Sequence, residues 1–354
     1  MDTPLVRMID ACINRATEGL RVVEDFARFL LDDPHLTALS KDLRHELTAA
    51  LAAIPAGDRL AARETQHDVG TAIAADSEYR RENSAQVCSA SFQRIQQSLR
   101  SLEEYCKIID GSLARRLEAF RYRTYTLERT FGIRTNSSER LQAAKLYVLV
   151  DGCDSEAAFD KLVTSLVEAG VHAIQLRSKA LGDRQLVGRA RLLVQTCRGS
   201  QTLALINDRP DIAVLSGADG VHVGQDDLSV KDVRTVVGTQ MLVGVSTHTI
   251  EQARAAVLDG ASYLGVGPVF PSATKDFPAL AGIEFVRQAA AEIRLPWFAL
   301  GGIGPENLAN VLDGGGNRVA VSAAITRASD PAAAAATLLS ALEREHPTSL
   351  GSGA

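Results

Sequence analysis

The polar residues that could do chemistry in this sequence cluster just after short Val/Ile/Leu-rich runs. The first cluster is Gln175-Leu176-Arg177-Ser178-Lys179, where an amide and two cations recur at every second residue. In an extended strand that period of two turns all three to one side. Converging N–H donors and positive charges suit a polyanion. A second group comprises Asn207-Asp208 and, one run later, Asp226-Asp227. Carboxylates on adjacent strand ends can share a hard cation, and Mg²⁺ takes one or two of them while water and substrate phosphates fill its shell. Asp208 with one of Asp226 and Asp227 meets that need. The competing role for Asp is helix capping, but Ser229 is the better cap for the segment that follows. Further along stand Ser246-Thr247-His248 and a long loop, Gly267 to Lys275, with the length of a lid or binding loop. Finally, Gly301-Gly302-Ile303-Gly304 and Ser322-Ala323-Ala324 offer glycine-rich and small-residue turns whose backbone N–H groups can cradle a phosphate.

Together these residues describe a mouth with a magnesium site beside three cations (Arg177, Lys179 and Lys275) and a separate, uncharged phosphate cradle. Two anionic substrates are implied. One carries a diphosphate, whose charge calls for metal plus Lys/Arg, and the other a simple phosphate. A metal on a diphosphate makes it a leaving group, so group transfer with release of pyrophosphate is the natural reaction. No nucleophile triad is visible at His222 or His248, and each reads as a hydrogen-bonded structural histidine.

The elements that must position these residues are legible from periodicity. From Lys145 onward, eight apolar runs alternate with segments of helical period: 145–150, 171–176, 202–207, 219–223, 241–246, 262–267, 296–301 and 318–322. Eight βα units in about 200 residues predict a (β/α)8 TIM barrel, which carries its active site at the C-terminal strand ends. A doubly wound sheet is the alternative, but Val150-Asp151-Gly152-Cys153-Asp154 lacks the glycine fingerprint that fold needs after its first strand. The fold class expected is therefore α/β, a TIM barrel preceded by a mainly α-helical domain. The expected divisions are a helical domain over 1–135, a polar linker over 136–144, the barrel over 145–345 and a frayed tail over 346–354.

The helical part contains an internal repeat. Residues 14–28 align without gaps on 93–107, and the apolar stripe Ile13, Ala16, Leu20, Val23, Ala27, Leu30 matches Phe92, Ile95, Leu99, Leu102, Cys106, Ile109. Steps of three and four place each set on one helix face. The charges repeat too, with Arg21, Glu24 and Arg28 matched by Arg100, Glu103 and Lys107. Two readings stand: solvated ion pairs at i,i+3 and i,i+4 spacing, or an anion pocket lined by Asn14, Arg15, Arg21, Arg94 and Arg100.

Composition excludes several classes. Of 354 residues, 46% are hydrophobic and 23% charged, which argues against global disorder. Lys and Arg number 38 against 43 Asp and Glu, a net charge of −5, so bulk charge gives no reason to expect nucleic-acid binding. No apolar run reaches the roughly 20 residues of a membrane helix, and the first residues have no signal-peptide core. The five cysteines are scattered without a CxxC, as expected of reduced thiols in a cytoplasmic protein.

The second half resembles thiamine-phosphate synthase. LYVLVD, QLRSK, IND, ADGVHVGQDD, GVSTHT, GPVFPSATK, ALGGI and VSAAI occur in order between Leu146 and Ile325. The resemblance implies that a 4-amino-2-methylpyrimidine-5-methyl diphosphate and a thiazole phosphate (or its carboxylate) combine to give thiamine phosphate and pyrophosphate. It places Gln175, Arg177, Lys179, Asn207, Ser246 and Lys275 on the pyrimidine diphosphate and makes Asp208 and Asp227 the Mg²⁺ ligands. Ser272, Thr274, Gly302 and the backbone at Ser322-Ala323 fall to the thiazole phosphate. Arg177, Lys179 and Lys275 become leaving-group stabilisers, and no residue is assigned as acid or base. Two positions depart from the pattern: the strand-eight serine usually stands one place later than Ser322, and Asp276 occupies a site where a second basic residue is common. The alternative for the barrel is another phosphate-binding isomerase or lyase of the same fold, which would need a base in the mouth.

The first half resembles an extra domain found ahead of this barrel in some bacterial versions, through NRATEGLRVVED, RHEL, HDVGT, RSLEE and RYRTYTLE. That domain has been linked with phosphorylation of the pyrimidine monophosphate. No GxxxxGK[ST] loop occurs in 1–135, so ordinary P-loop chemistry is not supported. An assembly or regulatory domain is the other reading. Small molecules are the expected partners, and a homo-oligomer is an open alternative to a monomer.

Overall fold

The computed structural model describes residues 2–66, 68, 80–271 and 280–344. By its contacts the chain divides after Phe131 into two compact units. The first holds α1 (Thr3–Phe29), α2 (Pro34–Leu51), α3 (Ala56–Ala62), α4 (Ser84–Cys106) and the start of α5 (Gly111–Leu141). Its starts are chemically marked. Asp33 accepts from the Leu36 amide ahead of Pro34 at the head of α2, and Asn83 accepts from the Gln86 amide at the head of α4.

The two repeated helices, α1 and α4, pack on each other along the expected stripe, which is buried from Ile13 to Ala27 and from Phe92 to Cys106. A small residue sets their approach: a Cβ at Gly19 would lie 2.6 Å from Ile95 Cγ1. Leu30 and Ile109, the last members of each stripe, are instead exposed. The helices stop at Phe29 and Cys106, so the 3.6-residue period no longer steers the residues beyond. The repeated charges pair with carboxylates. Arg21 reaches Glu24 and Asp25, Arg100 reaches Glu103 and Glu104, and Asn14 donates to Asp10. Arg21, Arg100 and Asn14 are thus held within the helical framework, which matches the ion-pair reading.

The second unit is a closed parallel barrel of β1 (Leu146–Val150), β2 (Ala173–Leu176), β3 (Leu203–Asn207), β4 (Gly220–Val223), β5 (Leu242–Thr247), β6 (Tyr263–Val266), β7 (Trp297–Leu300) and β8 (Val319–Val321). Around it run α6 (Glu156–Glu168), α7 (Asp183–Cys197), α8 (Pro210–Ser216), α9 (Val230–Val237), α10 (Ile250–Asp259), α11 (Gly282–Glu292), α12 (Leu308–Asp313), α13 (Ala323–Thr326) and α14 (Pro331–Arg344). Each strand lies within two residues of its expected place. Pairing of β8 with β1 closes the sheet and excludes the doubly wound alternative.

The segment expected to be a polar linker, 136–144, is helical as far as Leu141. Neither Pro nor Gly interrupts 133–141, and Ile133, Ser137 and Leu141 are buried at four-residue steps, so one face has a helical stripe that polarity alone concealed. Leu141 and Ala144 join Tyr147, Ala173, Leu205, Leu242, Tyr263, Phe298 and Ala320 in one core cluster. The tail over 346–354 lies outside the described residues.

Strand register decides what faces the barrel interior. Leu149, Gln175 and Leu205 are neighbours across β1–β3, Asn207 pairs with His222 and His222 with Gly244, and Ser246 pairs with Gly265. Because side chains alternate along a strand, one interior face runs from the apolar layer below to Gln175, Asn207, His222 and Ser246 above. Gly244 belongs to that face for a steric reason, since a Cβ there would sit 2.1 Å from Tyr263 Cζ.

Candidate active site

A cavity of about 750 Å³ opens at the C-terminal ends of the strands. Of the residues singled out in the sequence, Gln175, Arg177, Lys179, Asn207, Asp208, Asp227, Ser246, Gly302, Ser322 and Ala323 all line it. Ser272, Thr274 and Lys275 lie outside the described residues.

On the β2–β4 side, Gln175 Nε2 donates to Asn207 Oδ1 at 2.8 Å, which orients both amides within the layer. Asp208 follows at φ +58°, a left-handed backbone that Asp tolerates better than most residues. Its amide donates to the His222 carbonyl at 2.8 Å. Asp227 is held by its own loop, with the Gly224 amide donating to Oδ2 at 2.8 Å. Ser229 caps α9 by accepting from the Asp232 amide, so the aspartates are spared that duty. Burial, the charge of Asp227 and a hydrogen bond shared with it push the Asp208 pKa up to about 6 against the pull of Arg177. Two carboxylates driven together beside cations form a site whose electrostatics improve when a positive ion enters.

Across the barrel, after β7, Gly301 and Gly302 take φ +97° and +62°. A Cβ at Gly302 would lie 2.2 Å from the Pro271 carbonyl oxygen, so backbone alone fits there. Asn307 braces this turn, accepting from the Gly304 amide at 3.0 Å and donating to the Gly302 carbonyl at 2.8 Å. After β8, Ser322 donates its hydroxyl to the Leu149 carbonyl at 3.0 Å. Its side chain is thereby tied to the scaffold, and Ser322 and Ala323 both line the cavity.

The floor was not anticipated. Tyr147, His222, Tyr263 and Phe298 line the cavity and touch one another edge-on or tilted, with ring centroids 5.3–6.4 Å apart. His222 bonds Tyr263 Oη through Nδ1 at 3.2 Å and Ser246 Oγ through Nε2 at 3.0 Å. Burial drives its pKa down to about 4, so the imidazole is neutral. His248, also at the rim, donates from Nδ1 to the Gly267 carbonyl. The signal that could have found the floor is the strand alternation itself. Tyr147, His222 and Tyr263 share the interior phase of their strands. The two tyrosines sit below the strand ends where chemistry was sought, whereas His222, level with Asn207, is the hydrogen-bonded histidine that the sequence leads one to expect.

Comparison with known proteins bears on this arrangement. Residues 146–325 match the family model described as thiamine monophosphate synthase, and residues 7–130 match the ThiD2 family. The chain is 43% identical over 331 residues to a thiamine-phosphate synthase of Rhodopirellula baltica, covering 91% of this chain and 88% of that one. The chain belongs to the thiamine-phosphate synthase family. A thiamine-phosphate synthase of Synechocystis is 37% identical over 345 residues, 98% of both chains, so the helical unit is shared along with the barrel. Among solved structures, thiamine phosphate pyrophosphorylase from Pyrococcus furiosus superposes with a TM-score of 0.52 and 31% identity, covering 58% of this chain and 98% of that one. Membership in the thiamine-phosphate synthase family makes the chain a transferase of thiamine biosynthesis. Among the described residues no helix is long and apolar enough to cross a membrane.

Proposed function

We propose that the barrel joins a 4-amino-2-methylpyrimidine-5-methyl diphosphate to a thiazole phosphate, forming a C–N bond and releasing pyrophosphate. The observation that carries this reading is the division of the mouth. Asp208, Asp227, Arg177 and Lys179 gather on the β2–β4 side, while the glycine turn at 301–302 occupies the β7 side. A diphosphate fits the first and a monoester phosphate the second. In this reading Gln175 and Asn207 hold the pyrimidine end, Ser246 contacts the same substrate, and Arg177, Lys179 and Lys275 neutralise the leaving pyrophosphate. Gly302 and the backbone at Ser322-Ala323 take the thiazole phosphate, with Ser272 and Thr274 from the loop after β6.

The donor set fits Mg²⁺. Among the described residues no cluster of three or more His, Cys, Asp or Glu forms a closed metal cage, and two hard carboxylates leave the rest of the shell to water and phosphate oxygens. Asp208 and Asp227 would hold the ion, which supplies charge neutralisation of the diphosphate when bound. The chain's own residues do the rest. The exocyclic amino group of the pyrimidine donates electrons to the methylene carbon as its bond to the diphosphate oxygen breaks, and the protein positions the thiazole nitrogen in line. No residue need accept a proton in this step. The five free thiols are in keeping with a reducing, cytoplasmic setting.

The test is pyrophosphate release by the full chain from the pyrimidine diphosphate, with and without thiazole phosphate and with and without Mg²⁺. Release that needs both substrates and the cation is expected. Turnover of a single phosphorylated sugar or lyase substrate, with no pyrophosphate, would favour the isomerase or lyase alternative.

A further inference from the structure

Four side chains from four strands form one hydrogen-bonded file rising from the barrel floor to its mouth. Tyr147 of β1 meets Tyr263 of β6 at 3.4 Å between hydroxyls. Tyr263 meets His222 Nδ1 of β4 at 3.2 Å, and His222 Nε2 meets Ser246 Oγ of β5 at 3.0 Å. Gly244 and Gly265 make room for the file. A Cβ at 244 would overlap the Tyr263 ring, and one at 265 would crowd the imidazole at 3.3 Å. The Ser246 backbone is pinned as well, its carbonyl accepting from Gln225 Nε2 at 2.6 Å.

The protons of such a file run in one of two directions, and burial selects between them. Tyr147 is 2% exposed, and among the described residues its hydroxyl bonds only Tyr263. If Tyr263 donated to Tyr147, the Tyr147 proton would find no protein acceptor among the described residues, the costlier arrangement for a hydroxyl so little exposed. Tyr147 therefore donates to Tyr263, which leaves the Tyr263 proton for His222 Nδ1. An imidazole whose Nδ1 accepts a hydrogen bond carries its hydrogen on Nε2, so His222 donates to Ser246 Oγ. With its oxygen accepting from within the protein, Ser246 has its own proton left to offer the cavity.

We propose that His222 is a positioning residue which, locked by Tyr263 as the Nε2–H tautomer, makes Ser246 a directed hydrogen-bond donor toward an acceptor atom of the pyrimidine diphosphate. This rests on the proposed reaction for the identity of the ligand, but the direction of the file does not. Without the file the hydroxyl would rotate among its staggered positions and would face the ligand as donor or acceptor alike.

Two measurements on the full chain decide it. The first is the ¹⁵N–¹H correlation spectrum of the imidazole nitrogens, with His222→Phe used to assign the signal. A hydrogen on Nε2 is expected, and one on Nδ1 would overturn the proposal. The second is a double-mutant cycle on pyrophosphate release. His222→Phe and Ser246→Ala are each expected to lower kcat/KM for the pyrimidine diphosphate about tenfold, leave the thiazole phosphate KM unchanged, and give a double variant no worse than either. Losses that multiply to about 100-fold would show that the two act independently and would sink the idea. Should His222→Phe fail to fold, the wild-type spectrum is assigned with Ser246→Ala and the cycle is run with Tyr263→Phe. Its loss should then vanish in the Ser246→Ala background, and persistence there would equally overturn the proposal. If the wild type releases no pyrophosphate, the reaction assignment fails while the spectrum still fixes the direction of the file.

Discussion

Glu24 of α1 accepts a 2.7 Å hydrogen bond from Arg44 Nε of α2, and the pair lies mostly out of solvent. The repeat carries the same device, with Arg121 of α5 donating to Glu103 of α4 at 3.1 Å. Burial by itself would raise the Glu24 pKa, but the Arg44 hydrogen bond and the charges of Arg44, Arg21 and Lys41 outweigh it and hold the carboxyl below its ordinary 4.5. A carboxyl with a depressed folded-state pKa contributes stability that is present above its unfolded value and lost as pH falls through the folded one. Acid unfolding of the helical unit below about pH 4.5 should therefore be shallower in Glu24→Gln than in the wild type. Circular dichroism across pH 2–6 measures this, and identical acid limbs would refute it. At pH 7 the same variant leaves Arg44 short of its partner, and a loss of about 2–4 kcal/mol in urea unfolding is expected.

Asp208 and Asp227 are the pair whose removal should separate metal binding from folding. Replacing either carboxylate by Asn keeps the shape and relieves their repulsion, so the melting temperature without cation should hold or rise. Pyrophosphate release should nonetheless fall by about 100-fold or more, with the Mg²⁺ concentration for half-maximal rate shifted upward. Full activity in Asp208→Asn would remove that residue from the metal site.

The turn after β7 makes a steric prediction. A methyl group at 302 collides with the backbone of Phe270 and Pro271, and φ +62° is itself unfavourable for alanine. Gly302→Ala should raise the KM for thiazole phosphate about tenfold or more while leaving the KM for the pyrimidine diphosphate nearly unchanged. Equal effects on both substrates, read from initial rates, would show that the turn does not serve one phosphate alone.

The division after Phe131 sets how the helical unit should be tested. A chain beginning near Ser138 would cut through α5 and disturb the segment that delivers Leu141 and Ala144 to the barrel core, whereas one beginning at Gly132 keeps it whole. Comparing the full chain with the Gly132 start separates the two readings of the first unit. Loss of an ATP-dependent phosphorylation of the pyrimidine monophosphate alone would make it a kinase. A change in mass by light scattering or in barrel melting temperature, with no such activity in the full chain, would make it an assembly domain.

The sequence by itself determined the periodic features. Eight apolar runs spaced by helical segments name the barrel because strand and helix periods are local and survive without knowledge of the partner. The mouth residues followed because this architecture brings strand ends together, so Gln175, Asn207, Asp208 and Ser246 could be placed by position along the chain. Other features needed tertiary structure. Residues 136–141 look like a linker until the burial of Ile133, Ser137 and Leu141 is seen. Polarity averages over a helix, whereas burial reads one face of it. The Tyr147–Tyr263–His222–Ser246 file joins residues up to 116 positions apart. No spacing rule links them, because what unites them is the register of a closed sheet and two glycines that leave room for rings. The direction of the file's protons depends on which end is buried, and burial belongs to the folded molecule alone.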